Sequence, residues 1–527
     1  MSSVIGSSFI QICIDDSANR IPDNCRIIVE GPMGADGTAS PNTLFEVTDP
    51  DQFPALFGAG TVISEGLKVA MDCCRSDQIE IYALPRADAG TAAVYEGQVI
   101  LAGTATELSE RGRLNIYWGE ARYSLAISAY AGQTPVEIAA AIVAAVPYDF
   151  LFTATAGTDG AFTLTAKNGG QYGNELYAEF EWVGRTRAVT PEVSVALTQT
   201  TLGVGAYARH DDYRTLLGEA CCACCLIHLS DDSAWQTGAL EYIQSTWDCD
   251  EPNCMTMGYT YASGTVESIL GYENNWTHSA IMAHCNADFT NPSEGDAIFP
   301  WMKIAAYGAK SCCIANTSPE QSIEGRTYGA LDCVSGPSTC APCFDYEDRQ
   351  ELADSGFVTT SPIVGGSGFM TSPYIDKDIS NGLRDSSGRP NRTWRDMNSS
   401  RLARVTAARL FEELQQYQGL ALFSRNTKIR NGVRGTSPAI ITGKLRAWFQ
   451  ANVGVLFSEP YDLDRQIQVY QESETLPLCY GDPRRLIVRL AYQPPIRLAD
   501  IRVTLRPEFD PLCDIRTSAP SGVDVAG

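Results

Sequence analysis

Residues 224–285 read CCLIHLSDDSAWQTGALEYIQSTWDCDEPNCMTMGYTYASGTVESILGYENNWTHSAIMAHC. Three short apolar runs, "CCLIHLS", "CMTMGYTY" and "SAIMAHC", alternate with two longer runs of helical period, "SAWQTGALEYIQSTW" and "GTVESILGYENNW". Strand and helix periods in alternation predict a parallel, doubly wound sheet. A third helix, "AIFPWMKIAAYGA", and a further strand, "SCCIA", extend the pattern, so residues 201–345 are expected to form this α/β domain. Such sheets take ligands at the carboxyl ends of their strands. Here those ends read "LSDD", "TYASG", "CNADFTN" and "ANTSP", where Asp231, Asp232 and Asp288 could hold a divalent cation or simply cap the following helices.

Toward the N-terminus, residues 21–96 supply more of the same region. "CRIIVEG" reads as a strand, "FGAG" as a glycine turn entering a helix over 63–74, and 78–84 as a strand. The glycines do not form GxGxxG, so a helix-entry turn is expected rather than a phosphate loop. Residues 97–200 change character, with short strands between Gly, Asn and Asp turns. One alanine-rich helix interrupts them, with Thr134 as its N-cap and Pro135 at its first position. This segment reads as an inserted, mostly β domain without histidine, cysteine or suggestively spaced acids, and suits display or contact better than chemistry.

Residues 346–495 begin with a long loop-rich run and continue into two helices. The first carries Ala403, Ala407, Leu410, Leu414 and Tyr417 on one face. The second opens with Ser437 as N-cap and buries Ile441, Leu445, Trp448 and Phe449. Both chain ends read as arms. In residues 1–20, Phe9 opens a run in which Ile10, Ile12 and Ile14 alternate with polar or small neighbours. In residues 496–527, Ile501, Val503 and Leu505 alternate with Asp500, Arg502, Thr504 and Arg506, fenced by Pro494, Pro495 and Pro507.

The chain has 527 residues and a net charge of −24, which repels nucleic acid and anionic membranes. Charge is unevenly spread: residues 384–446 hold thirteen Arg or Lys against four Asp or Glu, a net of +9, leaving −33 on the rest. Seven of these, Arg384, Arg389, Arg392, Arg425, Lys428, Arg430 and Arg434, fall in loops and form a basic surface suited to an acidic partner. The longest near-apolar run, "IAAAIVAAV", is too short to span a bilayer, and the first twenty residues lack the pattern of a signal peptide. A cytoplasm-like compartment is expected.

Eighteen cysteines include the adjacent pairs Cys73–Cys74, Cys221–Cys222, Cys224–Cys225 and Cys312–Cys313. Neighbours on a strand point to opposite faces, so these pairs are expected to be reduced, metal-free core residues. Cys333, Cys340 and Cys343, in a Pro/Gly loop, are better candidates for zinc or a disulfide but lack an evident fourth ligand. No Walker A, HExxH or GxSxG motif is present, and there are only four histidines.

The string "FEVTDPDQFPALFGAGTVISEGLKVAMDCCRSDQIEIYALP" resembles the N-terminal segment of tail sheath proteins from contractile phages of the Mu-like type. So do "GQVILAGTATELSERGRLNIYWGEARYSLAI", "GQTPVEIAAAIVAAV" and "FTLTAKNGGQYGNEL". The likeness covers most of residues 40–345; beyond them it is one of segment order, and the cysteine content is unusual. The resemblance implies a multidomain α/β and α+β subunit with extended N- and C-terminal strand arms and no cofactor. It implies a homo-oligomer, a helical stack of rings around an inner tail tube protein, with baseplate and tail terminator proteins as further partners. It also implies assembly in the host cytoplasm, residence in the virion tail, and contraction that drives the tube through the host envelope without insertion of the subunit into a membrane. The arms would join sheets of neighbouring subunits, and the basic segment would face the tube. Two other readings stay open: a baseplate or decoration component, and an enzyme built on the doubly wound domain.

Overall fold

The computed structural model describes residues 8–14, 25–74, 79–118, 120–176, 178–185, 191–205, 213–217, 225–231, 233–247, 255–272, 275–285, 299–317, 321–325, 344–364, 370–384, 388–391, 394–425, 427–458, 463–471 and 486–492. The chain divides into residues 1–495 and 496–527, and the second unit lies outside the described residues.

In chain order the elements begin with strands β1 (Ser8–Ile14), β2 (Cys25–Pro32) and β3 (Phe45–Val47), helices α1 (Phe53–Phe57) and α2 (Val62–Cys73), and strand β4 (Ile79–Arg86). Next come β5 (Ala92–Leu101), β6 (Gly112–Trp118), β7 (Glu120–Ala129), α3 (Pro135–Ala145), β8 (Phe152–Ala156), β9 (Ala161–Gly169), β10 (Glu179–Gly184) and β11 (Val193–Thr201). The chain continues through α4 (Tyr213–Leu217), β12 (Cys225–His228), α5 (Ser233–Ser245), β13 (Met257–Ser263), α6 (Val266–Leu270), β14 (Ser279–His284), α7 (Pro300–Thr317) and α8 (Tyr346–Asp354). It ends with β15 (Phe357–Val364), β16 (Met370–Lys377), α9 (Met397–Gln415), β17 (Ala421–Leu422), β18 (Gly435–Thr436), α10 (Pro438–Ala451), α11 (Leu463–Gln466), β19 (Ile467–Gln471) and β20 (Leu486–Tyr492).

The largest sheet has eight strands in the order β16-β15-β14-β13-β12-β2-β4-β3. The six inner strands are parallel, and an antiparallel strand closes each edge. Its central strands β12, β13 and β14 are buried on both faces, which is why they read as continuous apolar runs. Ile27, Val29, Ile227, Tyr259 and Met282 join the core under α2 and α7. Ile28, Leu226, Ala262, Ile281 and Phe357 join the core under α4, α5, α6 and α8.

Two expectations are corrected here. "SCCIA" is not a strand but the last turns of α7. That helix is buried almost all round, from Trp301 through Ala315, so its 3.6-residue stripe is invisible in the sequence. The strand that completes the parallel run is β15, beside β14, followed by its hairpin partner β16. The sheet therefore continues past residue 345 into a stretch expected to be loop. Pro362 and Pro373 make β15 and β16 look like loop, and the pairing skips both residues through register shifts.

The glycines of "FGAG" do enter a helix. Gly58 (φ 92°) and Gly60 (φ 66°) adopt left-handed conformations, and a Cβ on Gly60 would lie 2.3 Å from the carbonyl oxygens of Asp149 and Phe150. Thr61 then caps α2, and the Val62 N–H donates to Asn168 Oδ1 at 2.8 Å. Protein groups thus occupy the helix start.

Strands β5–β11 build a four-stranded sheet (β11-β5-β9-β8) and a three-stranded sheet (β10-β6-β7) with α3 against them. Thr134 and Glu137 form a reciprocal capping box at the start of α3. The last layer is another three-stranded sheet, β1-β20-β19, under α9 and α10. The sequence predicts one buried face for α9; the structure buries the helix on nearly all sides, Arg401 and Arg404 included. In α10, Ile441, Leu445 and Phe449 are buried while Trp448 is only partly so, and Ser437 caps the helix without a side-chain hydrogen bond.

Candidate assembly interface

Across the sheet the parallel strands lie β4-β2-β12-β13-β14-β15, so the direction in which the chain adds strands reverses between β2 and β12. Open α/β sheets bind ligands at such a reversal. Here the position is filled by side chains. Glu30, near the end of β2, receives hydrogen bonds from Arg86 Nε at 2.6 Å and from the Tyr213 hydroxyl at 2.8 and 2.9 Å. His228 Nδ1 lies 3.0 Å from the same carboxylate, and Arg86 Nη1 donates to Asn42 Oδ1 at 2.6 Å. Glu30, Arg86, Tyr213 and His228 are all buried. Burial pushes the Glu30 carboxyl up, but Arg86 and His228 outweigh it and hold the pKa at about 2.

Asp231 is buried beside this hub, and Asp232 and Asp288 lie outside the described residues. Among the described residues no group of three His, Cys, Asp or Glu is placed to hold a metal, and no helix is long and apolar enough to cross a membrane. Cys333, Cys340 and Cys343 also lie outside the described residues. Cys285, outside the four adjacent pairs, is disulfide-bonded. Cys225 and Cys312 are fully buried, as core residues should be.

A second buried hub ties α9 to the large sheet. Arg401 pairs with Asp378 and donates to Ser311 Oγ at 2.7 Å. Tyr307 donates to Asp378 at 2.6 Å, and Tyr259 of β13 reaches Ser311 at 2.5 Å. Burial works against the charge of Arg401, and the adjacent carboxylate more than offsets it, so its pKa is raised. Close by in the fold, His278 (φ 64°) stacks on Trp247 with ring centroids 3.6 Å apart and bonds Ser400 of α9 at 2.9 Å. Burial lowers the His278 pKa to about 3. The sequence singled out neither hub: their members are far apart in the chain and carry no motif.

The terminal strand β1 lies in the chain's own three-stranded sheet, antiparallel to β20, with Ser8 opposite Tyr492 and Ile14 opposite Leu486. The register sets Phe9 opposite Ala491, Ile10 opposite Leu490 and Ile12 opposite Val488; Leu490 and Val488 are buried in the core of this layer. β1 and β19 are the edges of the sheet. Ile501, Val503 and Leu505 lie outside the described residues.

The basic residues are divided between two loops. Arg384 is fixed by its backbone N–H to Asn275 Oδ1 at 3.0 Å and by Nη1 to the Gly388 carbonyl at 2.9 Å, with Arg389 exposed next to it. Arg392 lies outside the described residues. Arg425, Lys428, Arg430 and Arg434 are exposed on the connection between α9 and α10, and Arg425 reaches the Val469 carbonyl of β19 at 2.5 Å. Arg401 and Arg404, which contribute to the +9 count, are buried and add nothing to the surface.

This mixed α/β chain has sheath tail proteins and a prophage baseplate among its structural neighbours. The sheath tail protein of Desulfitobacterium hafniense is 11% identical with a TM-score of 0.43, over 87% of this chain and 92% of that one. The sheath tail protein of Listeria innocua is 10% identical with a TM-score of 0.41, over 86% and 90%. A chain of the anti-feeding prophage baseplate is 9% identical with a TM-score of 0.41, over 96% and 100%. No protein-family model matches this chain, and no curated protein does.

Proposed function

We propose that this chain is a non-catalytic structural subunit of a contractile phage tail sheath. It polymerises around an inner tail tube and contracts to drive the tube through a host envelope. The observation that carries the reading is the placement of β1. The first described strand is an edge strand, joined by backbone pairing to the last described strand of its own body. Edge pairing through main-chain hydrogen bonds is transferable from one copy to another. In the assembled lattice, Phe9, Ile10, Ile12 and Ile14 of one subunit, and Ile501, Val503 and Leu505 of another, add to a neighbour's sheet.

The energetics suit a lattice. A seven-residue strand gains roughly 0.5–1.5 kcal/mol per backbone hydrogen bond. Ordering it costs about 1–2 kcal/mol per residue. One junction is weak, and many acting together hold. The exposed Lys428, Arg430 and Arg434, with Arg425 beside them, face the tube in this arrangement. Their attraction to an acidic partner is screened beyond about 10 Å at 0.1 M salt, which lets the contact release.

Negative-stain microscopy of concentrated full-length protein tests the reading. Striated tubes are expected. The same chain truncated after Pro495 should stay folded, by circular dichroism, and form none. Small closed rings would favour a baseplate or decoration component instead. Long tubes from the truncated chain would sink the arm assignment.

A further inference from the structure

Two of the adjacent cysteine pairs come together where α2 packs on α7. Cys73 closes α2 and Cys74 follows it, while Cys312 and Cys313 lie in the last turns of α7. The Cys313 thiol lies 2.7 Å from Cys74 Sγ, the Cys74 thiol donates to the Ala309 carbonyl at 3.1 Å, and Cys313 Sγ is 3.7 Å from the Cys73 carbonyl. Each helix thus holds a sulfur against the other. Closing the two sulfurs to an S–S bond of about 2.05 Å takes a movement of roughly 0.7 Å. Cys74 is 7% exposed and Cys313 is more open, so a small reagent can reach the pair from the Cys313 side.

We infer that Cys74 and Cys313 are an oxidisable pair, and that a small-molecule disulfide converts them into a covalent staple between α2 and α7. The Cys313 thiolate attacks one sulfur of the reagent. The reagent's S–S bond breaks, its first thiolate leaves and takes a proton, and a mixed disulfide remains on Cys313. The Cys74 thiolate then attacks the Cys313 sulfur and expels the second reagent thiolate, which takes the second proton. Two protein thiols are oxidised and one reagent disulfide is reduced. The hydrogen-bonded Cys313 thiol and burial push the Cys74 thiol up, and Cys313 is the more exposed of the two, which makes it the sulfur that reacts first. The staple joins residues 239 apart in sequence, a long loop whose closure restricts the unfolded chain strongly. Cys285 already carries a disulfide in the same fold. The staple is independent of the assembly role.

The experiment uses full-length protein, reduced, freed of reductant and incubated with oxidised glutathione. Remaining thiols are alkylated and the digest is mapped by mass spectrometry. A linked pair of peptides containing Cys74 and Cys313 is expected, with a rise in thermal midpoint that dithiothreitol reverses. Cys74→Ser or Cys313→Ser should lose both signals, and Cys73→Ser should keep them. Recovery of Cys74 and Cys313 as alkylated thiols in the wild-type chain, or a link through Cys73 or Cys312 instead, would overturn the inference without recourse to any variant.

Discussion

The eight-stranded sheet and the β1-β20-β19 sheet bury their residues in different patterns. In β2, three consecutive residues, Ile27, Ile28 and Val29, are fully buried, because helices cover both faces. In β19, Ile467 and Val469 are buried while Gln468 between them is exposed, because only α9 and α10 cover one face. A strand of the first kind leaves two cavities when it goes. A strand of the second kind is held by one row of side chains and its backbone bonds. The first sheet is suited to permanence, and the second to exchange.

The largest test of that contrast is Asp378→Ala. It strips the partner from Arg401, which is fully buried between the large sheet and α9. Breaking one side of a buried pair costs about 3–5 kcal/mol. Urea unfolding should show a loss of that size, and a loss below about 1 kcal/mol would mean that the pair does not lock the two layers.

Acid should act next, also on the permanent region. His278 has a folded pKa of about 3 against 6.5 in the unfolded chain, so below pH 6.5 the unfolded chain binds a proton that the fold excludes. Glu30 has a folded pKa of about 2 against 4.5, so the same imbalance arises between pH 4.5 and 2. Stability therefore falls as pH falls, by about 1.4 kcal/mol per unit for each group in its window, with both acting between 4.5 and 3. Urea midpoints at pH 7 and 5 should differ accordingly, and His278→Phe should flatten the upper window.

Deleting residues 1–14 removes β1. The gain and the ordering cost of an edge strand nearly cancel, so the unfolding free energy should move by less than about 1 kcal/mol. Tube formation should nonetheless disappear; a deletion chain that unfolds would make β1 as permanent as β2. The smallest effect on stability belongs to Lys428→Glu with Arg430→Glu. Both residues are exposed, so the change should stay within about 0.5 kcal/mol. Assembly guided by the tube should fail, and unchanged assembly would remove these residues from the tube-facing surface.

The sequence made the parallel strands legible because β12, β13 and β14 are short, apolar and separated by helical period. It concealed β15 and β16 because prolines interrupt them, and the end of α7 because a helix buried all round has no polar face. The basic segment was legible as a count but not as a surface. Arg401 and Arg404 look like the other arginines in the sequence, and only the packing of α9 separates them. The hubs were illegible because Glu30 meets Tyr213 and His228 across 183 and 198 residues.

The Glu30 hub also has a mechanical meaning. Arg86 ends β4 just before the chain departs for β5, and Tyr213 opens α4 after the chain returns from β11. Both are tied to one carboxylate on the central sheet. A single tether would let the β5–β11 segment swivel about its attachment. Two tethers clamped to the same post resist torsion, so a twist applied to that segment passes into the large sheet as torque instead of being absorbed at a hinge.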